Sequence, residues 1–516
     1  MLRRILRPET AIFLGIWFML MIFGRSNLFR DPGTFWHTIV GERILSTGHF
    51  ITTDPFSFTC AGKEWIAHQW LGECLMALVH RIAGLDGLLL ATVSLLAFFF
   101  TWIAHRFIRA GVHPLLTLLI VCIVAAASSN HFLIRPHLAT MVILGFTLGM
   151  LCDFESGRIS LRRLQWLVPL FLLWANIHGG FIGGMATLLF VITGWVITWI
   201  LWHHGPITLR RQAVLLFGIT AACGLTAFIN PYGAKLPKAW FAIMGSPLVS
   251  KIIVEHAPLA SSPATLAAVL PAMVLYLATL TGVFPKRPRV TWLLPLIWLC
   301  LAWMRVRHAS LFAVTFAVVL PDMLPHVRWI KWLSNHGSEF YTLQNPSPSP
   351  YSGKFKVGPA VIPLLLIITT LGFQIAGIRL PVLGSSWAKL DPAYWPVGLI
   401  GELKSIELRV PDGTPIFNDF LYGGFIIYYA PRFRVFIDDR CELYGDSGLY
   451  RFVVAEENPC IIDGFVEEYG LQFALVMADS NFDRYLSNSK NWSMIARTDS
   501  AALYQCNSTT SKSDPR

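Results

Sequence analysis

Asp31, His37, Asp54, His68, Arg135, His178 and Arg307 are residues that could move a proton or hold an anion, and all of them fall in turns and loops between apolar runs. A carboxylate at the edge of an apolar run can take a proton from a hydroxyl. A guanidinium offers a planar fork of donors to a phosphate. Asp31 lies in Arg30-Asp31-Pro32-Gly33-Thr34-Phe35-Trp36-His37, just after the first apolar run, which would put its carboxylate at a membrane surface. Local chemistry alone favours a plainer role: Asp31 as the N-cap of a helix whose first position is Pro32.

The same first loop continues through Thr53-Asp54-Pro55-Phe56, Glu64-Trp65 and His68-Gln69-Trp70. Asp54-Pro55 is also a turn signature, and His68 opens an amphipathic helix. Later turns on the same side carry Asn130, His131, Arg135 and His137, then Asn176 and His178, then Asn230 and Tyr232, then Arg305, Arg307 and His308. Each could singly be an interfacial residue that reaches for water. Jointly they suggest a lined cavity, because ionisable groups at membrane depth are costly and usually serve a pathway or site. Arg135 and Arg307 are the candidate phosphate ligands, with His37, His68, His137, Asn176, His178, Arg305 and His308 beside them. In Trp174-Ala175-Asn176-Ile177-His178-Gly179-Gly180-Phe181 the two glycines would let adjoining spans reverse closely. Asp438-Asp439 could hold a divalent metal, although pairing with Arg440 and capping the next element is the commoner use of such a pair. Gly423-Gly424 lacks the spacing of a phosphate loop. No motif requires a cofactor.

These residues must be positioned by membrane spans. The chain has 516 residues, 54% hydrophobic and 14% charged, with a mean hydropathy of +0.56, far from a soluble globular domain. The formal net charge of +11 could suggest nucleic acid, but the Lys and Arg residues are spread through short loops with no basic tract, which excludes that class. Nine cysteines are scattered singly with no metal-type spacing. Apolar run length predicts about eleven spans, at 10–28, 85–104, 112–129, 137–152, 165–178, 181–202, 212–229, 264–284, 290–304, 308–325 and 357–380. The runs 137–152 and 165–178 are short for a bilayer. Arg3, Arg4 and Arg7 ahead of the first run resemble a signal peptide, but no small-residue cleavage site follows, and the run is read as a retained span.

With the N-terminus placed inside, Lys and Arg are about twice as dense in the inner loops as in the outer ones. The Asp- and His-bearing turns then face outward. Three outer regions are long enough to fold: a loop at 25–84 with two amphipathic helices expected on the membrane surface, a loop at 230–263 with Trp240 and Phe241 suited to the interface, and the tail from 381 to 516. The segment 335–356, with Pro346, Pro348 and Pro350, reads as an irregular linker. In the tail, strand-like runs at 414–417, 433–437, 471–477 and 501–505 alternate with helical ones at 395–406 and 461–469, which indicates a small α/β domain. Asn491-Trp492-Ser493 and Asn507-Ser508-Thr509 match glycosylation acceptor spacing. The expected architecture is an all-α polytopic membrane bundle (1–380) followed by a small extracytoplasmic α/β domain (381–516).

Asp31 directly after the first span, Phe35-Trp36-His37, the segment 48–55 and Gly84 leading into the second span together resemble the GT-C superfamily of polytopic glycosyltransferases. Protein O-mannosyltransferases, lipid A aminoarabinose transferases and oligosaccharyltransferase catalytic subunits belong to it. The chain is also similar to a group of bacterial membrane proteins with an Asp-Pro-Phe-Ser motif, here Asp54 to Ser57, and a Trp-Ala-Asn-X-His-Gly-Gly motif, here Trp174 to Gly180. The resemblance covers about 1–380. It implies a bacterial inner-membrane glycosyltransferase that takes a sugar from a polyprenyl-phosphate donor among the membrane lipids and passes it to an acceptor at the outer face. Asp31 would accept the acceptor proton while Arg135, His178 and Arg307 hold the lipid phosphate. Members of the superfamily often carry a second acid beside the first. Here Pro32 stands in that position, and Asp54 is the substitute. The alternatives are non-catalytic binding or translocation of a polyprenyl-linked glycan, and a degenerate scaffold that presents the tail.

Overall fold

The computed structural model describes residues 7–245, 254–336 and 358–507. The charged residues Arg3, Arg4, Lys354 and Lys356, most of the 335–356 linker and the end of the second acceptor motif lie outside the described residues. Each of the eleven apolar runs contains a helix, and among the described residues seven helices are long and apolar enough to cross a membrane by length and composition. The protein is a mostly helical polytopic membrane protein with a small C-terminal sheet. The run 137–152 becomes an 18-residue helix, Leu138–Glu155, most of it buried among its neighbours. The run 165–178 yields the 11-residue helix Leu167–Ile177 behind a 3₁₀ stretch, Leu161–Trp166. At 1.5 Å per residue this helix is roughly 16 Å long, half a bilayer core.

The first loop differs from expectation in an informative way. Its second helix leads directly into the second span within Trp70–Arg109, with a kink of non-helical backbone at Ala83 and Gly84 between the two. Gly84 has φ +58, a conformation that costs a residue with a Cβ but not glycine. Before the bend, Leu75, Leu78 and Ile82 line up as an exposed apolar face, suited to lying on lipid. The first helix, Gly33–Thr47, does not lie on such a surface. Its Phe35 packs in edge contacts on Trp395 and Phe425, and Phe35, Trp36, Val40 and Ile44 are buried. The loop thus shares one hydrophobic core with the C-terminal domain, separate from the core of the bundle.

That domain holds a five-stranded sheet in the order β2-β1-β3-β5-β4, where β1 is Pro415–Asn418, β2 Arg434–Val435, β3 Phe473–Met477, β4 Trp492–Arg497 and β5 Ala501–Cys506. β1 pairs in parallel with β2 and β3, and β5 is antiparallel to β3 and β4. Beyond β2 the first loop continues the sheet: Val435 N–H donates to the Phe56 carbonyl and Phe58 N–H to the Val435 carbonyl. β4 is not foreseen by alternation, because it falls on the first acceptor motif, with Trp492 buried inside the domain. The helices Gly423–Tyr429, Cys441–Glu457 and Asn481–Asn488 are likewise additions to the sequence reading.

At the end of the bundle away from the first loop, Asp153 and Asp322 are shared by Arg106 and Arg158, with N–O distances from 2.6 to 3.6 Å. This cluster ties the helix ends together on the side where plain Arg and Lys residues were expected.

Candidate active site

A cavity of about 640 Å³ opens at the loop end of the bundle, between the spans and the C-terminal domain. Of the sequence candidates, Asp31, His68, Arg135, His137, His178, Arg305, Arg307 and His308 line it. Their spacing in sequence conceals this convergence: Asp31 and Arg135 lie 104 residues apart, yet Arg135 Nη1 donates to Asp31 Oδ2 at 2.9 Å. The other oxygen, Oδ1, accepts the Gly33 N–H at 2.7 Å. Asp31 therefore has the backbone contact that its cap reading implied and faces the cavity as well. Gly33 makes room for the pair, since a Cβ there would come within 2.6 Å of Asp31 Oδ1 and 2.8 Å of Arg135 Nε. Burial raises the Asp31 carboxyl above its usual range, and the Arg135 guanidinium opposes that rise.

Arg135 is held by the turn after the span Pro114–Ser128. Ile134 N–H donates to the Leu28 carbonyl, and the Thr34 hydroxyl donates to the Ile134 carbonyl. These contacts fasten the turn to the first loop. Arg135 was expected as a phosphate ligand, but its Nη1 is engaged by Asp31 and its Nη2 lies 3.8 Å from Asp439 Oδ2.

His178 ends the short helix Leu167–Ile177. Its Nδ1 accepts from the Gly180 N–H at 3.0 Å and is 2.8 Å from the Thr140 hydroxyl, which in turn accepts from Trp174 Nε1 at 3.0 Å. An Nδ1 that accepts a backbone N–H leaves the ring proton on Nε2, free to donate to a ligand. Burial and the Arg307 charge hold this ring well below the usual histidine range, so it stays neutral. In the same lining, Arg307 Nη1 donates to His256 Nε2 at 2.7 Å. Burial and that guanidinium push His256 down to about 4. Among the described residues neither Arg305 nor Arg307 makes an ion pair with a carboxylate. Two partly buried guanidiniums with no direct ion pair, beside Glu255 in the same lining, offer donors to an anion.

Three candidates are placed elsewhere. Asp54 is fully enclosed, with Oδ1 accepting Arg440 Nη1 at 2.8 Å and Oδ2 accepting the Ser57 N–H at 3.0 Å. It clamps the first loop to the C-terminal domain and is not among the residues that line the cavity. His37 is buried, with Nδ1 2.8 Å from Glu73 Oε1, and ties together the two helices of the first loop. The Asn176 amide donates to the Leu172 and Ile229 carbonyls and its oxygen accepts from Trp70 Nε1, which satisfies the turn internally.

Other cavity residues were named in the sequence without a site role, or not at all. His131, Thr140, Glu255, His256, Tyr394, Glu442 and Asp439 line the space. The last three come from the C-terminal domain. Asp438 and Asp439, read as a pair, serve different partners: Asp438 is fully buried on Arg440 and Tyr444, whereas Asp439 lines the cavity and accepts Trp36 Nε1 at 2.6 Å. Among the described residues no group of three or more His, Cys, Asp or Glu is arranged to hold a metal ion. Trp240 and Phe241 part company in the same manner. Trp240 is buried against the cavity and Phe241 is exposed.

The chain combines a helical membrane bundle, a buried acid after its first span, a folded first loop and a C-terminal domain over one cavity, and it shares its overall fold with solved membrane-protein structures. Among solved structures it superposes on the Archaeoglobus fulgidus oligosaccharyltransferase tethered with an acceptor peptide containing the NVT sequon, with a TM-score of 0.55 at 13% identity, covering 91% of this chain and 69% of that one. ArnT from Cupriavidus metallidurans bound to undecaprenyl phosphate gives a TM-score of 0.52 at 13% identity, with 98% of both chains covered. At this identity the likeness is one of fold. No protein-family model and no curated protein sequence matches the chain.

Proposed function

We propose that the protein is a membrane glycosyltransferase that moves a sugar from a polyprenyl-phosphate donor to an acceptor at the outer face of the membrane. One observation supports this reading: a single cavity is lined by the carboxylates Asp31 and Asp439, by the guanidiniums Arg305 and Arg307, which make no direct ion pair, and by a neutral histidine, His178. Arg305, Arg307 and the Nε2–H of His178 would hold the donor phosphate. Ile182, Trp298, Leu301 and Leu311 extend the same lining as an apolar path toward lipid. Asp31 would take the proton from the acceptor as its heteroatom bonds to the sugar C1. The C1–oxygen bond to the phosphate then breaks, and the electron pair leaves on the lipid phosphate. Base assistance of this kind contributes about 10²- to 10⁴-fold in rate, and stabilisation of the leaving phosphate by fixed donors in a partly dehydrated site adds to it. The two-fold excess of Lys and Arg in the opposite loops supports placing this end outside the cell membrane.

The test uses purified full-length protein in lipid nanodiscs with radiolabelled undecaprenyl-phosphate sugars of several kinds. Wild type should release or transfer label from at least one. Asp31→Asn should bind undecaprenyl phosphate normally and lose turnover by about 10²-fold or more. Near-normal turnover in that variant removes Asp31 from the chemistry. Binding without turnover in wild type favours carriage of a polyprenyl-linked glycan instead.

A further inference from the structure

The two tail motifs singled out in the sequence meet at the cavity. Gly424 lies so close to the first loop that a Cβ there would come within 2.2 Å of the Pro32 carbonyl oxygen. A Cβ on Gly423 would come within 2.2 Å of the Ile437 carbonyl oxygen and 2.6 Å of Asp438 Cβ. The start of the helix Gly423–Tyr429 is therefore wedged between the residue after Asp31 and the segment leading into Asp439. This contact brings a carboxylate of the soluble domain beside the carboxylate of the first loop. Arg135 lies between them, with Nη1 2.9 Å from Asp31 and Nη2 3.8 Å from Asp439. Trp36 Nε1 holds the other Asp439 oxygen at 2.6 Å, across 403 residues of sequence.

We propose that Asp31 and Asp439 work as one acid pair bridged by Arg135, so that the active site is complete only while the C-terminal domain is docked on the first loop. The inference rests on the transferase reading given above. The acceptor proton goes to the pair as a unit: the acceptor O–H or N–H bond breaks, the acceptor atom bonds to the sugar C1, and the C1–oxygen bond of the donor breaks with its electrons on the phosphate. Two buried acids on one guanidinium influence each other's titration. Burial and the neighbouring Asp31 and Asp438 push Asp439 up to about 7, against the pull of Arg135. Glu255 adds to the rise at Asp31. Arg440 lies beyond, turned onto Asp438 and Asp54. A pair that keeps one proton near neutrality leaves one carboxylate as base, with an affinity for protons suited to that pH. Gly423 and Gly424 then have a definite use, since any side chain at 424 would push the domain, and Asp439 with it, off Pro32.

The experiment follows carboxyl protonation by infrared difference spectroscopy on full-length protein in nanodiscs, with undecaprenyl phosphate as the binding probe, in wild type and in Asp31→Asn, Asp439→Asn, Asp439→Glu and Gly424→Val. Asp439→Asn should lower the titration midpoint of Asp31 by about one unit or more, because a like charge is removed, and Asp31→Asn should lower that of Asp439. Turnover of Asp439→Asn should fall at least about tenfold, with partial recovery in Asp439→Glu, while undecaprenyl phosphate affinity stays within about threefold. Gly424→Val should separate the two titrations while the bundle stays folded by circular dichroism. An unmoved Asp31 titration in Asp439→Asn overturns the pair, and so does full turnover in that variant. Coupled titrations in a wild type that transfers no sugar would overturn the transferase reading and leave the pair standing.

Discussion

Arg135→Met removes the guanidinium that Asp31 and Asp439 share, and its consequence can be worked from distances. A cation within about 4–6 Å lowers a carboxylate by roughly 1–3 pKa units, and Arg135 stands 2.9 Å from one acid and 3.8 Å from the other. Burial already raises both carboxyls. Without the guanidinium each rises further, so the ionised form is reached only at higher pH. Each unit corresponds to about 1.4 kcal/mol, or tenfold in the ionised fraction below the pKa. Sugar release at neutral pH should therefore fall about 10- to 1,000-fold, with the acidic limb of the pH–rate profile displaced upward by about 1–3 units. Part of the rate should return under alkaline conditions. The fold should suffer less than the roughly 3–5 kcal/mol seen when a buried charge loses its partner, because these carboxyls can take up protons instead. The assay is kcat against pH with saturating labelled donor. A loss equal at every pH, with the acidic limb unmoved, would refute the reasoning and assign Arg135 to the donor phosphate.

Two further expectations concern stability. Asp54→Asn weakens one of the two carboxylate contacts of Arg440 while Asp438 stays paired to it, and should lower the stability of the loop and domain unit by about 1.5–3 kcal/mol; donor affinity should hold in material kept folded at low temperature, and lost turnover at full stability would return Asp54 to the chemistry. His37 is neutral because burial holds it well below its ordinary 6.5, so the unfolded chain binds the extra proton and this contribution to stability falls as pH drops below about 6.5. His37→Gln should remove about one proton from the pH dependence of unfolding between pH 6.5 and 5, roughly 2 kcal/mol over that window. Comparing the variant with wild type cancels the opposite trend from acids raised by burial, such as Asp419 at about 7. Identical pH slopes in the two proteins would show that His37 is not held neutral.

The fold was readable where its causes are local. Apolar run length placed a helix in each of the eleven runs, and of the two runs marked as short, 165–178 holds an 11-residue helix whereas 137–152 extends to one of 18 residues. Helical spacing located both helices of the first loop. It could not tell a lipid-facing helix from one enclosed by another domain, because an apolar face looks the same against either. Trp36 and Phe35 belong to the enclosed case, and Leu75, Leu78 and Ile82 to the lipid-facing one.

Within the site, residue type and turn position brought out Asp31, Arg135, His178 and Arg307, since polar groups in short turns between spans have few places to point but a shared mouth. They did not separate ligands from braces. His37, Asp54 and Asn176 have the same chemistry as the cavity residues, but each is satisfied by a nearby partner: Glu73, Arg440 and the Ile229 carbonyl respectively. Hydrophobicity and charge, read over a few residues at a time, are enough for the run of apolar helices, the asymmetry of their turns and an acid after the first of them. The place of Asp439 beside Asp31 on Arg135 comes from long-range packing alone. That contact joins residues about four hundred positions apart, and it exists because Gly424 lets one backbone rest on another, a fit of shapes that no local pattern encodes.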